Sequence, residues 1–312
     1  MWSGRSVAVA GGTGFIGSAL AQRLVADGAD VTIAGRSADP ERDVEMVRHV
    51  RADLTDLEDA RRTCAGQDIV FLVAALDGNA DFKVRHAAEI LTTNSLITLN
   101  GLRAALDAGV RRVVLVSSSE VYATTDVELL SDKIPVDSIS NLNSYALSKV
   151  FGEVAALKYV EQFGLEVVIG RPANVYGPGD DTSGERGRVI ARWISAAAAG
   201  KSLEIWGTGN EARSYIFVSD VVSGLLRLGE VGPVGQPVNL AHRQAITLRE
   251  LAEVVCAVGG FDVPIVLTPL HRPGVQTRLL DTSLASSVLG FEAPTDIRDG
   301  LRITMEHMFA KD

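Results

Sequence analysis

Tyr145 and Lys149 are the two side chains whose types and spacing are best suited to chemistry. A separation of four residues places a phenol and an ammonium on one face of a helix, one turn apart. A free tyrosine has a pKa of about 10 and is a poor base at neutral pH, but a neighbouring ammonium favours the phenolate. The pair therefore predicts proton transfer at a substrate oxygen, with the tyrosine as general base.

A run of hydroxyl groups, Ser117–Ser119, ends an apolar segment upstream of this pair and leads into Glu120. The apolar segment has the composition of a buried strand, and the carboxyl ends of parallel strands are where such sheets bind ligands. A hydroxyl at that edge can hydrogen-bond the same substrate oxygen whose proton the tyrosine takes. The elements that deliver both groups to one place must therefore form a parallel sheet.

The first of these elements lie in the segment SVAVAGGTGFIGSALAQRLVADGADVTIAGRS, which predicts a strand, a turn, a helix and a second strand. Gly11, Gly14 and Gly17 recur in the turn, where small residues let the backbone approach a pyrophosphate at a helix N-terminus. Phe15 and Ile16 lie between the last two glycines. Because a strand precedes the turn and a helix follows it, the motif predicts a dinucleotide site.

Arg36 lies close to the position where an acidic residue would bind the ribose 2′-hydroxyl of NAD. A guanidinium pairs with a 2′-phosphate, so Arg36 favours NADP, whereas an arginine that only stacks on adenine leaves NAD as the alternative. Farther along the chain, Asp53 and Leu54 are candidates for contacting the adenine. Ala74 and Ala75, at the end of another predicted strand, leave room for the cofactor.

Short apolar runs alternate with longer amphipathic segments through the first half of the chain. This alternation predicts an α/β fold, a Rossmann-like doubly wound parallel sheet with a smaller C-terminal α/β lobe that binds substrate. We expect residues 1–172, with part of 214–242 returning, to form the dinucleotide-binding domain, and residues 173–213 and 243–312 to form the lobe. The predicted strands are Val7–Ala10, Val31–Ala34, Ile69–Ala74, Val113–Ser117 and Val167–Gly170, and the predicted helices are Ile16–Asp27, Leu57–Cys64, Ile90–Ala108 and Tyr145–Phe163.

The composition is that of a globular protein: 46% of the residues are hydrophobic and the net charge is −9. The acidic balance argues against a nucleic-acid partner. We expect no membrane partner either, because no apolar run reaches about 18 residues and no signal peptide precedes the first strand. Cys64 and Cys256 are interpreted as buried thiols of a cytoplasmic protein. The five histidines lack metal-ligand spacing, so no metal is predicted.

The motifs together resemble the extended short-chain dehydrogenase/reductase family, in its nucleotide-sugar epimerase/dehydratase branch. The resemblance covers essentially the whole chain and implies that Ser118 is the catalytic hydroxyl, Tyr145 the general base and Lys149 the residue that holds the ribose. It implies that Asn94 supports the cofactor site, that Asn174, Arg213 and Arg272 hold a sugar-nucleotide diphosphate, and that Trp206 flanks the nucleotide base. The matching segments, in family order, are GGTGFIG, DLTD, SSSEVYA, YALSK, RPANVYGPGD, GTGNEARSYIFVSDVV and RPGVQTRLLDTSLASSVLGF.

The resemblance implies a nucleotide-diphosphate sugar as substrate and, first, an NAD(P)-dependent epimerase that inverts C4 through a 4-keto intermediate. The alternatives are an NADPH-dependent reductase of a 4-keto sugar, and a dehydratase or decarboxylase that uses Glu120 as a base. Glu120 could also be structural. A catalytically silent redox sensor is disfavoured because Ser118, Tyr145 and Lys149 are all present.

Two further expectations concern the surface of the protein. The resemblance implies a homodimer in which helices Ile90–Ala108 and Tyr145–Phe163 pair with their copies as a four-helix bundle. Asp180 and Asp181 lie in a predicted loop and are expected at the surface, with a position at the border of the sugar site as the alternative.

Overall fold

The computed structural model of the chain describes residues 2–36, 46–122, 129–130, 142–182, 187–269 and 277–310. Its strands are β1 Ser6–Ala10, β2 Asp30–Gly35, β3 Arg48–Arg51, β4 Ile69–Leu72, β5 Arg112–Val116, β6 Leu129–Leu130, β7 Glu166–Pro172, β8 Asn174–Tyr176, β9 Leu203–Trp206, β10 Ala212–Phe217, β11 Pro237–Leu240, β12 Ala245–Thr247, β13 Ile265–Thr268 and β14 Thr277–Leu280. Its α-helices are α1 Phe15–Ala26, α2 Leu57–Cys64, α3 Ala80–Arg85, α4 Ala87–Asp107, α5 Ser144–Phe163, α6 Val189–Ala198, α7 Val218–Val231, α8 Leu248–Gly259 and α9 Ile297–Phe309.

The larger sheet has seven parallel strands in the order β11-β7-β5-β4-β1-β2-β3. The chain starts in the interior of this sheet at β1 and builds outwards on both sides, with β2 on one side and β4 on the other. A change of direction of this kind opens a crevice beyond the carboxyl ends of the strands. The predicted Rossmann-like doubly wound sheet is confirmed.

The two faces of β1 explain why its sequence is apolar throughout. Val7 and Val9 pack into a core that contains side chains of α1 and α7, whereas Ala8 and Ala10 pack into a second core that contains side chains of α2, α4 and α5. Since both faces are covered by helices, polar alternation along the strand would leave unpaired polar groups inside the protein.

A smaller sheet has the order β12-β10-β14-β6, with β8 also pairing with β10, and β9 pairs separately with β13. The helices around it share a third core that includes Trp193 of α6, Leu251 of α8 and Leu301 of α9. The chain crosses between the two sheets, because β10 belongs to the smaller one while β11 returns to the edge of the larger one. The domain boundaries proposed from the sequence remain a prediction.

Within the described ranges, no helix has the length and apolar character needed to cross a bilayer.

Candidate active site

A cavity of about 850 Å³ lies over the carboxyl ends of β1, β4 and β5 and continues to the smaller sheet. The loops that follow these three strands form one half of its wall, and residues of β8, β9 and β10 form the other. Most of the residues singled out in the sequence line this cavity: Gly11, Gly14, Phe15, Ile16, Gly17, Arg36, Asp53, Leu54, Ala74, Ala75, Ser118, Glu120, Tyr145, Lys149, Asn174, Trp206 and Arg213. Arg272 lies outside the described residues.

The glycine turn fits the pyrophosphate of a dinucleotide. Gly11 has a φ of +94°, and a Cβ there would lie 2.6 Å from the backbone nitrogen of Ala74. A Cβ at Gly17 would lie 2.0 Å from the carbonyl oxygen of Gly11, so α1 can start this close to the turn only with glycine. Gly14 is the N-cap residue of α1 and no side chain caps the helix. The first N–H groups of α1 therefore face the cavity, as anion binding requires.

The outer end of this half carries Arg36 and Asp53. The Asp53 carboxylate accepts hydrogen bonds from the Thr55 backbone N–H at 3.0 Å and from the Thr55 hydroxyl at 2.8 Å. These bonds lower the pKa of Asp53, and the Arg36 guanidinium lowers it further. The Asp53 carboxylate is thus fixed and ionised, and the exposed Arg36 side chain faces the same part of the cavity.

Tyr145 and Lys149 enter the cavity from the first two turns of α5. Asn143 caps this helix, because its side-chain oxygen accepts a hydrogen bond from the Ala146 N–H at 2.9 Å. The Lys149 ammonium donates to the carbonyl of Val116, at the end of β5, at 2.8 Å. Its Nζ lies 5.6 Å from the centre of the Tyr145 ring. The cap and this bond fix the phenol and the ammonium relative to the end of β5.

The protonation of this pair differs from the sequence prediction. Burial raises the pKa of Tyr145 well above its usual value, Asp77 and Glu120 add to the rise, and a hydrogen bond with Ser118 opposes it. Burial lowers the pKa of Lys149 to about 8, against the opposing effect of Asp77 and Glu153. The sequence prediction assigned a lowering of the phenol pKa to Lys149 together with an oxidised nicotinamide, and in the protein alone burial has the larger effect. At neutral pH the site holds a neutral phenol, a proton donor, next to a lysine that is still mostly an ammonium.

Glu120 belongs to a cluster of charges that sequence reasoning missed. One of its oxygens pairs with the Lys83 ammonium, and the other accepts from the Asn143 side-chain amide at 2.9 Å. Lys83 Nζ also lies 3.1 Å from Asp77 Oδ1 and 4.6 Å from the centre of the Tyr145 ring. Burial alone would raise the pKa of Glu120, but Lys83 and Arg278 lower it to about 2. Glu120 is thus an ionised carboxylate with both oxygens engaged.

The half of the cavity near the smaller sheet is rich in cations. Arg213 of β10 and Arg278 of β14 are register partners in paired parallel strands. Burial lowers the pKa of both guanidinium groups, that of Arg278 to about 10, and Glu120 acts on each in the opposite direction. The Nε of Arg278 is buried and has no hydrogen-bond partner among the described residues. Two half-buried guanidinium groups on neighbouring strands repel each other, which favours a bound anion nearby.

The remaining predicted substrate residues lie around these arginines. The Asn174 side-chain amide donates to the carbonyl of Ser214 at 3.1 Å. The guanidinium carbon of Arg192 lies 4.9 Å from the centre of the Trp206 ring, a cation–π contact. Trp206 and Arg192 both line the cavity and offer flat surfaces suited to a nucleotide base.

Asp180 is not at the surface, so the surface prediction is wrong for this residue, whereas Asp180 and Asp181 both line the cavity, as the alternative prediction requires. The Asp180 side chain is only 2% exposed, because the loop after β8 turns inward and Asp180 pairs with Arg188 at 2.6 Å. The guanidinium carbon of Arg188 lies 5.4 Å from the centre of the Phe15 ring at the glycine turn. The loop after β8 therefore contacts the glycine turn through Arg188.

Asn94 lies beneath the cavity wall. It is 3% exposed, and its amide both accepts from the Leu76 N–H at 2.7 Å and donates to the Leu76 carbonyl at 3.0 Å. These two bonds fix the loop after β4, which lines the cavity. Asn94 thus supports the cavity by holding a loop of its wall.

A buried ion pair lies one turn below Lys149 on α5. The Arg171 guanidinium binds the Glu153 carboxylate through two bonds, at 2.6 and 2.9 Å, and the two side chains are 2% and 4% exposed. The Ser117 hydroxyl donates to the same carboxylate, and Arg171 also donates to the Tyr122 hydroxyl. This network joins α5, the end of β5 and β7 directly under the reacting groups.

Comparison with known proteins gives consistent results. Residues 7–241 match the profile of the NAD dependent epimerase/dehydratase family. The chain is 40% identical to a dTDP-4-dehydro-6-deoxy-D-allose reductase from Streptomyces sp, over 97% of this chain and 96% of the relative.

Two solved structures extend the comparison. The structure of Thermotoga maritima UDP-glucose 4-epimerase with UDP-glucose superposes with a TM-score of 0.90 at 26% identity, over 98% of this chain and 99% of that one. The structure of MoeE5 with UDP-glucuronic acid and NAD superposes with a TM-score of 0.87 at 31% identity, over 98% and 100%. The first of these structures thus contains a nucleotide sugar, and the second contains a nucleotide sugar and NAD.

Proposed function

This chain belongs to the NAD dependent epimerase/dehydratase family, and within that family we propose that it is an NADPH-dependent reductase of a nucleotide-diphosphate 4-keto sugar. The similarity to the Streptomyces reductase across nearly the whole chain carries the proposal. That relative acts on a 4-dehydro-6-deoxy sugar linked to dTDP, as its name states, and we extend this substrate class to the present chain. The protonated phenol at the cavity supports the same direction of reaction, since reduction of a ketone needs a proton donor.

Several residues of the cavity would have separate roles in such a reduction. The bound dinucleotide would supply the hydride to C4 of the sugar. Tyr145 gives its proton to O4 of the substrate as negative charge develops there, and Ser118 hydrogen-bonds the same oxygen. Lys149 stabilises the resulting phenolate until a proton from solvent replaces the one transferred. Arg213, with Arg272, anchors the diphosphate, and Trp206 flanks the base.

An absorbance assay tests the proposal. Purified protein given NADPH and a dTDP-4-keto-6-deoxy sugar should consume NADPH, followed at 340 nm, in a one-to-one ratio with the 4-hydroxy product. Conversion of a nucleotide sugar into its C4 epimer with no net change at 340 nm would instead establish the epimerase.

The epimerase is the second candidate, and the close superposition on the Thermotoga maritima UDP-glucose 4-epimerase favours it. It would use the same cavity, with the dinucleotide returned to its starting state. A dehydratase or decarboxylase that uses Glu120 as a base is not proposed, because both carboxylate oxygens of Glu120 are already engaged.

The preference for NADP over NAD rests on Arg36, and Arg36→Gln tests it. We expect the variant to raise the KM for NADPH about tenfold, because a partly exposed guanidinium–phosphate contact contributes on the order of 1.5 kcal/mol, and to leave the KM for NADH unchanged. Arg23→Gln is the matched control, since Arg23 is an exposed arginine of α1 that pairs with Asp27. An equal change in both KM values for Arg36→Gln would reject the 2′-phosphate contact.

We also propose that the protein acts in the cytoplasm as a homodimer, with α4 and α5 at the interface. These two helices expose the apolar side chains of Leu96, Phe151, Val154 and Phe163, which are 39 to 51% exposed in the single chain. Burial of these side chains against a second copy would complete a four-helix bundle. Sedimentation of the protein as a monomer alone at micromolar concentration would contradict this. Cys64 and Cys256 are free thiols, which suits a reducing compartment.

A further inference from the structure

Glu120 is a carboxylate at the wall of the cavity, and each of its two oxygens already has a partner. It follows β5 directly and contacts residues of α3, of the start of α5 and of the segment after β5. Lys83 comes from α3, Asn143 caps α5, and the Glu120 backbone N–H donates to the Ser118 hydroxyl at 3.1 Å. An ion pair and an amide hydrogen bond thus occupy the two oxygens of Glu120, immediately beside the residues proposed to act on the ketone.

A carboxylate beside a ketone can remove a proton from a carbon next to the carbonyl group. The carbonyl group makes the C–H bonds of the adjacent carbons acidic, so an available base removes that proton and the carbon can be reprotonated on either face. A base is most effective when its pKa is close to the working pH. A buried carboxylate without a cation partner approaches that condition, because burial raises its pKa.

We propose that Lys83 is a specificity-determining residue that keeps Glu120 engaged, so that the bound 4-keto sugar is reduced without loss of a proton from the neighbouring carbons. The inference rests on the proposed function in one respect, that the substrate is a ketone. Lys83 acts by pairing with Glu120. Glu120 then holds Lys83 and Asn143 in place and does not act as a base.

The charges around Glu120 make Lys83 the dominant partner. Arg278 and Arg213 act on Glu120 from the smaller sheet, and Tyr145 faces it as a neutral phenol. Among the described residues, Lys83 is the cation that pairs directly with the carboxylate. Asp77 faces Lys83 on the side of the loop after β4 and holds the ammonium in place.

Removal of Lys83 should therefore allow hydrogen exchange at the carbon next to the ketone. With Lys83 absent, Glu120 would take a proton from the carbon next to the ketone, and the C–H electron pair would form an enolate on the ketone oxygen. In D₂O the Glu120 carboxyl exchanges its proton for a deuteron and returns it to the carbon. The net change is one C–H bond replaced by C–D, with a proton released to solvent and no oxidation or reduction.

The first test measures this exchange by mass spectrometry, with a dTDP-4-keto-6-deoxy sugar in D₂O and no dinucleotide. Lys83→Met should incorporate deuterium at least about tenfold faster than the wild type, a modest part of what a positioned base can contribute. Lys83→Arg, which keeps the cation, and Lys83→Met combined with Glu120→Gln should both stay at the wild-type rate. Lys158→Met removes an exposed lysine of α5 and is the matched control. Equal exchange in Lys83→Met and wild type, or fast exchange that persists in the double variant, would overturn the proposal.

The second test needs no substrate and no cofactor. With ¹³C-labelled glutamate carboxyl groups, the Glu120 signal is identified by its loss in Glu120→Gln and followed against pH by NMR. In the wild type this signal should not titrate in the ordinary glutamate range, and in Lys83→Met its midpoint should rise by more than one pH unit. A wild-type Glu120 that titrates normally, or a midpoint unmoved in Lys83→Met, would overturn the inference. If the protein never consumed NADPH, the proposed function would be rejected, but the pH titration of Glu120 would be unaffected.

Discussion

Tyr145→Phe is expected to lower kcat for ketone reduction about 1,000-fold, while the affinity for the dinucleotide stays unchanged. The substitution removes only the hydroxyl, and a positioned proton donor contributes on the order of 10²- to 10⁴-fold to the rate. Tyr145 is 9% exposed and lines the cavity, where its hydroxyl is the group positioned to act as that donor. Stopped-flow measurement of hydride transfer and titration of dinucleotide binding by fluorescence would give the two quantities separately.

Tyr159→Phe provides the matched control, because Tyr159 lies on the same helix and packs against Phe163 outside the cavity. This variant should keep wild-type kcat. If Tyr145→Phe retained more than about a tenth of the activity, a different group would have to protonate the substrate, and the assignment of the phenol would fall.

Glu153→Gln is expected to lower the free energy of unfolding by about 3 to 5 kcal/mol, the range measured when one partner of a buried ion pair is removed. The neutral amide leaves the Arg171 guanidinium charged in the interior, where its bonds to Glu153 are its strongest described contacts. Arg171 cannot escape the penalty by losing its proton, since the guanidinium pKa is far above neutral. Urea unfolding followed by circular dichroism measures the change.

The same substitution at Glu161 is the control for the ion pair. Glu161 pairs with Lys158 on α5, and both side chains are more than 60% exposed, so Glu161→Gln should cost less than about 1 kcal/mol. Replacing Glu153 and Arg171 together by methionine should restore much of the lost stability, because no unpaired charge then remains. Equal effects of Glu153→Gln and Glu161→Gln would show that the Glu153–Arg171 pair is accessible to water in solution.

The parts of the structure that follow a short-range pattern could be predicted from the sequence. The predicted strand at Val7–Ala10 and helix at Leu57–Cys64 are observed at Ser6–Ala10 and Leu57–Cys64, because burial on both faces and helical periodicity are local signals. The placement of Tyr145 and Lys149 on one face of a helix follows from their spacing alone.

The parts that depend on distant charges could not be predicted. Lys83 and Glu120 are 37 residues apart in the sequence, and a lysine in a six-residue helix gives no sign that it faces a carboxylate after β5. The pKa of Tyr145 could not be predicted for the same reason. The spacing indicates the ammonium of Lys149, whereas burial, Asp77 and Glu120 together raise the pKa of the phenol. Loops usually lie at the surface, so the sequence predicts an exposed Asp180. Its ion pair with Arg188 holds the side chain in the interior instead.

The contact between Gly11 and Ala74 has a practical consequence for altering this protein. Since the turn after β1 and the loop after β4 leave no room for a methyl group between them, neither can be moved or enlarged without disturbing the other. Efforts to redirect the protein toward new nucleotides should therefore leave the Gly11–Ala74 contact intact and diversify the opposite wall, around Trp206 and Arg192, whose side chains line the cavity.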